Sequence, residues 1–407
     1  MSDVWRRLFK DYDDGRVSRR ELMQILAGAA LIAPVRAAFG QGGGAPPTGR
    51  DTTGRGGRGN RVIAPQDTMP APAPFEPTGW KTVWLDHLTY RTTDYKKAAA
   101  FYATLMGWKV RDDNGKRVLM DVADRVGSVI ITGDYQPPPP PPAPPPGDSA
   151  AGGRGGGRGG PPPQGIWDNF CWGIDSWDTN KVEAELKKRG LNPVADHNGD
   201  FKSFHVKDPD GFDVQISNGN KGNRWKGSAN GKLPAPAPFD STGWKTVWLD
   251  HISFQVTDYR RTVAFYQALL GWKPRSLSGN QAMTDIGDVG GIIIRNGGGG
   301  GGRGRGGGGD STGRGAAPPA PAAPRPARID HISFGIEPWD FDKVEAELMK
   351  RGLGRPDRNR PGHLSYDVGG FRGADYHESK FQSYHTPDPF FWDLQISNIT
   401  FETRGNT

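Results

Sequence analysis

The segment LDHISFQVTDYRRTVAFYQALLGWK, residues 249–273, decides the fold, because a near copy, LDHLTYRTTDYKKAAAFYATLMGWK, occupies residues 85–109. Polar and apolar residues alternate along HISFQV, which is the period of a strand with one polar and one apolar face. Asp258 is placed to cap a following helix, and Gly271 is placed to end it. Each copy therefore predicts a strand with a histidine on its polar face, followed by a helix.

A second pair of related segments follows the first. DTNKVEAELKKRGL from residue 178 resembles DFDKVEAELMKRGL from residue 340, and DPDGFDVQISN from 208 resembles PDPFFWDLQISN from 387. Low-complexity Pro, Gly and Arg tracts separate the halves of each repeat, and they lack the apolar residues needed to form a core. The chain therefore reads as four modules in the order A–B–A′–B′, each with the pattern βαβββ.

The composition shifts set the predicted domain boundaries. We expect a signal peptide at 1–40 and a disordered Gly/Arg/Pro linker at 41–78. The first domain should span 79–220, with modules 79–135 and 165–220 on either side of the insert 136–164. The second domain should span 243–400, with modules 243–295 and 328–400 on either side of the insert 296–327. The last module carries an extra stretch near 355–380, which is predicted to hang over the rim of the second domain's site as a lid or a specificity loop.

The net charge of +7 does not mark a nucleic-acid surface. The excess lies in the N-terminal 78 residues and in the two low-complexity inserts, which leaves the globular modules close to neutral. No patterned basic face remains for a nucleic acid, so none is expected as a partner. The single cysteine, Cys171, excludes an internal disulfide and a thiolate cluster.

The N-terminus has the order of regions of an export signal. Arg19 and Arg20 precede a short apolar run, and Ala38-Phe39-Gly40 suits cleavage. The run falls short of the roughly 20 residues needed to cross a bilayer, so no transmembrane segment is expected. Residues 1–40 resemble a twin-arginine signal, which predicts an exported, periplasmic or extracellular protein starting near Gln41. The alternative is an uncleaved amphipathic N-terminus.

The repeated segment, with its strand histidine, capping aspartate and FY…LLGW ending, resembles the vicinal oxygen chelate superfamily. That superfamily includes glyoxalase I, fosfomycin and bleomycin resistance proteins, and extradiol dioxygenases. The resemblance implies an α+β fold in which βαβββ modules pair into cupped half-barrels, the glyoxalase/bleomycin resistance/dihydroxybiphenyl dioxygenase fold. Four modules would give two cups, paired either within a repeat or by exchange between repeats. The internal duplication favours a monomer.

The resemblance also implies a metal site in the second repeat. Ligands in the superfamily come from the first strand of each paired module and from a last strand, which fall here on His251, His331 and Gln395. Two imidazoles and an oxygen donor would form a facial triad for a divalent ion such as Fe²⁺, Mn²⁺, Zn²⁺ or Ni²⁺. Gln395 departs from the usual glutamate, and its neutral amide would bind a metal more weakly.

The first repeat lacks most of these ligands. The matching positions hold His87, Asn169 and Gln215, and Cys171 lies on the same alternation as Asn169. We expect these four residues to bind a small molecule without a metal. For Cys171 the alternative is a buried, unreactive thiol.

A further histidine lies ten residues before each glutamine, His205 and His385. In extradiol enzymes the matching position contacts substrate, so both are candidates for acid/base catalysis or substrate orientation. An imidazole with a near-neutral pKa would suit that work. The alternative is a partly exposed hairpin histidine.

Two functions follow from these features. The first is an exported, metal-dependent enzyme that acts on a small bidentate oxygen substrate, by extradiol-type ring cleavage or by a glyoxalase-type lyase or isomerase step. The second is a non-catalytic protein that binds a small molecule without a metal, as bleomycin-binding relatives do.

Overall fold

The computed structural model describes residues 71–138, 164–225, 229–297, 327–368 and 379–406. The predicted signal peptide, most of the linker and the centres of both inserts lie outside the described residues. Within the described ranges no helix is both long and apolar enough to cross a membrane.

The first repeat consists of eight strands and three helices. In chain order these are β1 (Thr82–Thr92), α1 (Tyr95–Met106), β2 (Lys109–Asp113), β3 (Arg117–Ala123), β4 (Gly127–Thr132), β5 (Gly165–Ile174), α2 (Thr179–Lys188), β6 (Val194–Ala195), β7 (Ser203–Lys207), β8 (Asp213–Ser217) and the short α3 (Lys221–Arg224).

The second repeat follows the same order. Its elements are β9 (Lys245–Val256), α4 (Tyr259–Leu270), β10 (Lys273–Ser278), β11 (Gln281–Ile286), β12 (Gly290–Asn296), β13 (Arg328–Glu337), α5 (Phe341–Lys350), β14 (Tyr366–Val368), β15 (Gln382–Pro387), β16 (Asp393–Ser397) and a 3₁₀ turn at Arg404–Asn406.

The ends of the repeated helices are those that the sequence predicts. The Asp258 side chain accepts a hydrogen bond from the backbone of Arg260 at the start of α4, and Gly271 ends the helix with a φ of +68°. A Cβ at Gly271 would also lie 2.5 Å from the carbonyl oxygen of Trp80. Only glycine therefore fits both the left-handed conformation and the close approach of the first repeat.

Each repeat forms one eight-stranded sheet, in the orders β2-β3-β4-β1-β5-β8-β7-β6 and β10-β11-β12-β9-β13-β16-β15-β14. The first strands of the two modules are antiparallel neighbours, β1 with β5 and β9 with β13. The modules therefore pair within each repeat, which decides between the two predicted pairings. The last strand of the second module, β8 or β16, lies beside the first strand of the same module, β5 or β13. The three predicted ligand positions of each repeat are therefore on neighbouring strands at the centre of its sheet.

An aspartate immediately precedes His87, Asn169, His251 and His331, and each of these aspartates is the extra residue of a β-bulge. The register of β9 with β13 slips at Asp250 and again at Asp330, and that of β1 with β5 slips at Asp86 and Asp168. A bulge inserts one unpaired residue and re-aims the side chains around it. In three of the four cases the aspartate carboxylate consequently lies beside the ring of the histidine that follows it.

The two repeats pack against each other through matched contacts. Trp108 Nε1 donates to Thr246 Oγ1, and Trp272 Nε1 donates to Thr82 Oγ1, both at 2.9 Å. These contacts place the end of each first helix against the first strand of the other repeat.

A buried carboxyl lies at the same interface. The hydroxyl of Tyr266 donates to Asp208 in the other repeat at 3.0 Å. Burial raises the pKa of Asp208 to about 6, although hydrogen bonds from the backbone and from Tyr266 oppose the rise. Asp208 therefore holds its proton to a higher pH than an exposed aspartate does.

The twin of this contact lies on the other side of the interface. The hydroxyls of Tyr90 and Tyr102 both donate to Asp388, and burial raises the pKa of that carboxyl as well. Both repeats therefore place a buried carboxyl against tyrosine hydroxyls of the other repeat.

Part of the segment assigned to the linker is packed. Residues 71–78 lie on the second repeat, where Phe75 contacts the Phe265 ring at 5.7 Å and Thr78 Oγ1 donates to the carbonyl of Leu269 at 2.7 Å. The aromatic ring and the hydroxyl both find partners there, so the folded part of the chain begins before residue 79.

The described part of the extra stretch near 355–380 does not hang over the sheet. Its β14 pairs with β15, and the Leu364 amide donates to buried Glu345 on α5 at 2.7 Å. A buried carboxylate needs hydrogen-bond donors, and this segment supplies them to Glu345. Residues 369–378 of the same stretch lie outside the described residues.

Candidate metal centre in the second repeat

The polar face of the second sheet, called the second cup below, brings two predicted ligands together. Nε2 of His251 lies 3.0 Å from Nε2 of His331, and both side chains are buried. Two imidazole nitrogens, each about 2.1 Å from one metal ion and at right angles to each other, would be about 3.0 Å apart. The ring positions therefore suit two ligands of a single ion.

The protonation of His331 also suits a ligand. Its pKa is lowered to about 4, chiefly by burial and also by the neighbouring His251 and His385, although Asp330 opposes the fall. His331 is therefore a neutral imidazole at pH 7, which is the form that binds metals.

A carboxylate lies behind each ring. Nδ1 of His251 is 3.3 Å from Asp250 Oδ2, and Nδ1 of His331 is 3.4 Å from Asp330 Oδ2. The negative charge of a carboxylate near Nδ1 favours a proton on that atom and leaves Nε2 available to a metal, although Nδ1 of His251 makes no hydrogen bond to the described residues. The two Nε2 atoms face each other at hydrogen-bond distance, and a bound ion would replace the proton between them.

Gln395 supplies an oxygen that lacks a partner. Its Nε2 donates to Ser383 Oγ at 2.7 Å, while its buried Oε1 accepts no hydrogen bond from any residue that the structure describes. Buried polar atoms without partners are rare, because each one costs about 1–3 kcal/mol. Gln395 pairs with Ser333, which in turn pairs with His251, so the three strands place the amide and the two imidazoles on one face of the sheet. An unpartnered amide oxygen on that face fits a metal ligand, and the donor set matches the predicted triad.

His385 lies next to this group, between two carboxylates. Its Nε2 is 3.0 Å from Asp367 Oδ2, its Nδ1 is 3.0 Å from Asp393 Oδ1, and its ring centre is 5.0 Å from that of His331. Burial lowers its pKa, but the two carboxylates outweigh burial and raise the pKa to about 9. The near-neutral pKa expected from the sequence is therefore wrong for His385, because both of its nitrogens face an anion.

The polar face of the first sheet, called the first cup below, satisfies its side chains internally. Asn169 Nδ2 donates to Gln215 Oε1 at 3.0 Å, and Gln215 Nε2 donates to Ser203 Oγ at 2.8 Å. The amide oxygen that is open in the second cup is therefore occupied in the first.

The donor atoms of Asp86, His87 and Cys171 in the first cup lie within 4.8 Å of one another. His87 Nδ1 is 2.7 Å from Asp86 Oδ1, and Arg224 binds both oxygens of the same carboxylate. Burial raises the pKa of the Cys171 thiol well above its usual value, and the thiol is fully buried. We regard this group as the weaker metal candidate, because its carboxylate is already paired with a cation and its thiol is protonated.

His205 occupies the place of His385 but is less enclosed. Its Nδ1 lies 3.1 Å from Asp213, and its Nε2 lies 3.6 Å from Asp196. Burial lowers its pKa, and the hydrogen bonds and charges of Asp213 and Asp196 give a net rise.

With the geometry established, comparison with known proteins gives the family. The family described as Glyoxalase/Bleomycin resistance protein/Dioxygenase superfamily matches residues 84–216 and 248–372. The chain belongs to this superfamily. Both repeats are matched, as the duplicated sequence predicts. No curated protein matches the sequence significantly.

Several solved structures are similar to this chain. One is the Mn(II)-bound glyoxalase from Novosphingobium aromaticivorans, with 14% identity, a TM-score of 0.47, and coverage of 80% of this chain and 86% of that one. Another is a catechol 2,3-dioxygenase, with 13% identity, a TM-score of 0.45 and coverage of 78% and 88%. A third is the homoprotocatechuate 2,3-dioxygenase from Arthrobacter globiformis, with 15% identity, a TM-score of 0.45 and coverage of 80% of each chain.

The superfamily assignment confirms the predicted family and the α+β fold of paired modules. The structure brings together the residues predicted at each cup, while their roles in binding stay predictions. The sequence interpretation missed Asp86, Asp250, Asp330 and Arg224, which lie beside the predicted site residues. The recurring Asp-His pair, in LDH and IDH, was a visible signal for three of the four.

Proposed function

We propose that this chain is an exported, metal-dependent enzyme that acts on a small substrate with two adjacent oxygen atoms. One observation carries the proposal: Nε2 of His251 and Nε2 of His331 lie 3.0 Å apart, on the sheet face where Gln395 has a buried, unpartnered Oε1. His251, His331 and Gln395 would hold a divalent ion. Such an ion, when bound, polarises the substrate oxygens and supports ring cleavage or a lyase or isomerase step.

The residues around the triad have separate tasks. Asp250 and Asp330 place negative charge near Nδ1 of each imidazole, which favours a proton there and leaves Nε2 for the metal. His385, held as a cation by Asp367 and Asp393, can donate a hydrogen bond to an anionic oxygen and orient it.

Metal analysis tests the proposal. Protein purified without chelators should contain about one equivalent of a transition metal, and His251→Ala should lose it because one of three ligands is removed. His87→Ala, at the same position of the first cup, should keep the metal and is the matched control.

Two results would contradict the proposal. Wild-type protein that binds none of Fe²⁺, Mn²⁺, Zn²⁺ or Ni²⁺ would leave the alternative, a pocket that binds a small molecule without a metal. Equal loss in His87→Ala and His251→Ala would argue against a site in the second cup. The export part of the proposal depends on Arg19 and Arg20, and N-terminal sequencing of the mature protein, expected to begin near Gln41, tests it.

A further inference from the structure

Asp250 is a buried carboxylate that no lysine or arginine of the described residues pairs with. Its side chain has no exposed surface. Oδ2 accepts hydrogen bonds from Ser333 Oγ at 2.9 Å and Ser397 Oγ at 3.1 Å. Oδ1 has no partner, and no lysine or arginine of the described ranges forms an ion pair with the carboxylate.

The equivalent residue of the first repeat, Asp86, has the partner that Asp250 lacks. Arg224 binds both oxygens of Asp86 and lies nine residues after Gln215. The first cup also has Cys171 where the second has Ser333, so one hydroxyl donor is replaced. A guanidinium therefore balances the charge of Asp86.

The second repeat has an arginine at the equivalent position, but this arginine makes different contacts. Arg404 lies nine residues after Gln395, as Arg224 does after Gln215. Its Nη2 donates to Asp288 Oδ1 at 3.1 Å, and its guanidinium lies 3.8 Å from the centre of the Phe401 ring. The cation that balances Asp86 thus has a counterpart that does not reach the second cup.

A buried, unpaired carboxylate is costly, and a positive charge close to it removes much of the cost. The imidazole of His251 lies next to Asp250, with Nδ1 3.3 Å from Oδ2, so an ion bound at Nε2 of the same ring would bring positive charge close to the carboxylate. A divalent ion at Nε2 of His251 would be held by two neutral imidazoles and a neutral amide. The site therefore lacks negative charge at its ligands and has a carboxylate behind each imidazole, of which Asp330 is paired with Arg328 and Asp250 is not.

We propose that Asp250 is the residue that supplies negative charge to the metal site, acting through His251 in place of the glutamate that Gln395 replaces. Asp250 is thus a positioning residue that tunes metal affinity and does not contact the metal. This inference rests on the proposed function, since it requires a metal in the second cup.

The test measures Mn²⁺ affinity and the melting temperature of the metal-stripped protein in Asp250→Asn. Affinity should fall about 10- to 100-fold, the range for residues behind metal ligands. The melting temperature of the stripped variant should rise by about 2–4 °C, because a buried charge without a partner is removed. A purely structural contact would change stability in the opposite direction.

Asp86→Asn is the matched control in the first cup. It breaks an existing ion pair, so the melting temperature of the stripped protein should fall while Mn²⁺ affinity stays at the wild-type value. The double variant Asp250→Asn/Gln395→Glu should bind Mn²⁺ at least about tenfold more tightly than Asp250→Asn alone, because the glutamate returns one negative charge to the same site.

The outcomes separate this inference from the proposed function. If wild type binds Mn²⁺ and His251→Ala does not, but Asp250→Asn binds as tightly as wild type, the inference is overturned and the metal site stands. Weaker binding with lower stability and no rescue by Gln395→Glu would also overturn it. If wild type binds no metal, the proposed function fails and the inference fails with it.

Discussion

The two cups have the same strand order and the same bulges, yet they differ in how their polar atoms find partners. In the first cup Asn169 satisfies Gln215, and Arg224 neutralises Asp86. In the second cup an imidazole takes the place of Asn169 and meets the other histidine, and the glutamine oxygen is left open. The comparison teaches that Asn169, where the second cup has an imidazole, closes the polar network around Gln215, while Arg224 closes the one around Asp86.

The largest expected effect is the conversion of the first cup into a metal site. Asn169→His removes the donor that occupies Gln215 Oε1 and adds an imidazole opposite His87. Combined with Arg224→Ala, which frees Asp86, it should raise the affinity of the first cup by on the order of a hundredfold. Metal content should then rise from about one to about two equivalents per chain.

Single variants show which change matters. Asn169→His alone should bind the second ion more weakly than the double variant. Arg224→Ala alone should gain no metal and should lose about 3 kcal/mol of stability, because Asp86 becomes a buried charge without a cation. A double variant that still binds one equivalent would break the proposed link between these residues and metal binding.

The second prediction concerns the interface, where the repeats remain alike. Burial raises the pKa of Asp208 to about 6, so the folded protein holds a proton that the unfolded chain releases near pH 4. The stabilising contribution of this proton is complete below about pH 4 and is lost as the pH rises through 6. Asp208→Asn, which cannot ionise, should therefore be more stable than wild type at pH 7 by up to about 3 kcal/mol.

Urea unfolding at several pH values checks this expectation. The advantage of Asp208→Asn should vanish near pH 4, and Asp388→Asn should show a pH dependence of the same sign because burial also raises the pKa of its carboxyl. An advantage that does not change with pH would show that Asp208 is ionised throughout the range.

The smallest effect should come from the hydroxyl groups that orient the two glutamines. Gln395 Nε2 donates to Ser383 Oγ at 2.7 Å, which fixes the orientation of the amide and leaves Oε1 without a hydrogen-bond partner in the described residues. Ser383→Ala should lower metal affinity about tenfold, because the amide can then rotate. Metal titration measures the loss directly.

Ser203→Ala makes the same change in the first cup, where Gln215 Nε2 donates to Ser203 Oγ at 2.8 Å. Both serine variants should lower the free energy of unfolding by about 1 kcal/mol, because each loses one hydrogen bond. Ser203→Ala should leave metal affinity unchanged. Equal metal affinities for the two serine variants would count against Gln395 as a ligand.

The positions of the cups were visible in the sequence because they depend on local patterns. The alternation in LDHISFQV, the capping Asp258 and the terminating Gly271 are read along the chain, and the repeat supplied a second copy of each. His251, His331 and Gln395 followed from their places in the repeated modules, although their roles stay predictions.

The sequence did not predict the state of His385. Asp393 lies eight residues from His385 and Asp367 lies eighteen away, and only the sheet brings both against one ring and raises its pKa to about 9. A pKa depends on burial and on neighbouring charges in space, which a one-dimensional pattern does not contain.

The sequence by itself determined four βαβββ modules in two repeats, a strand histidine in three of them, and a glutamine on the last strand of each repeat. Strand and helix periods and caps are local, so the chain encodes them directly. Only the tertiary structure decided that modules pair within a repeat, that Arg224 reaches Asp86 while Arg404 leaves Asp250 alone, and that one glutamine oxygen is satisfied and the other is not. Those outcomes depend on which distant side chains meet in a buried space, where a single missing partner changes the charge balance of the site.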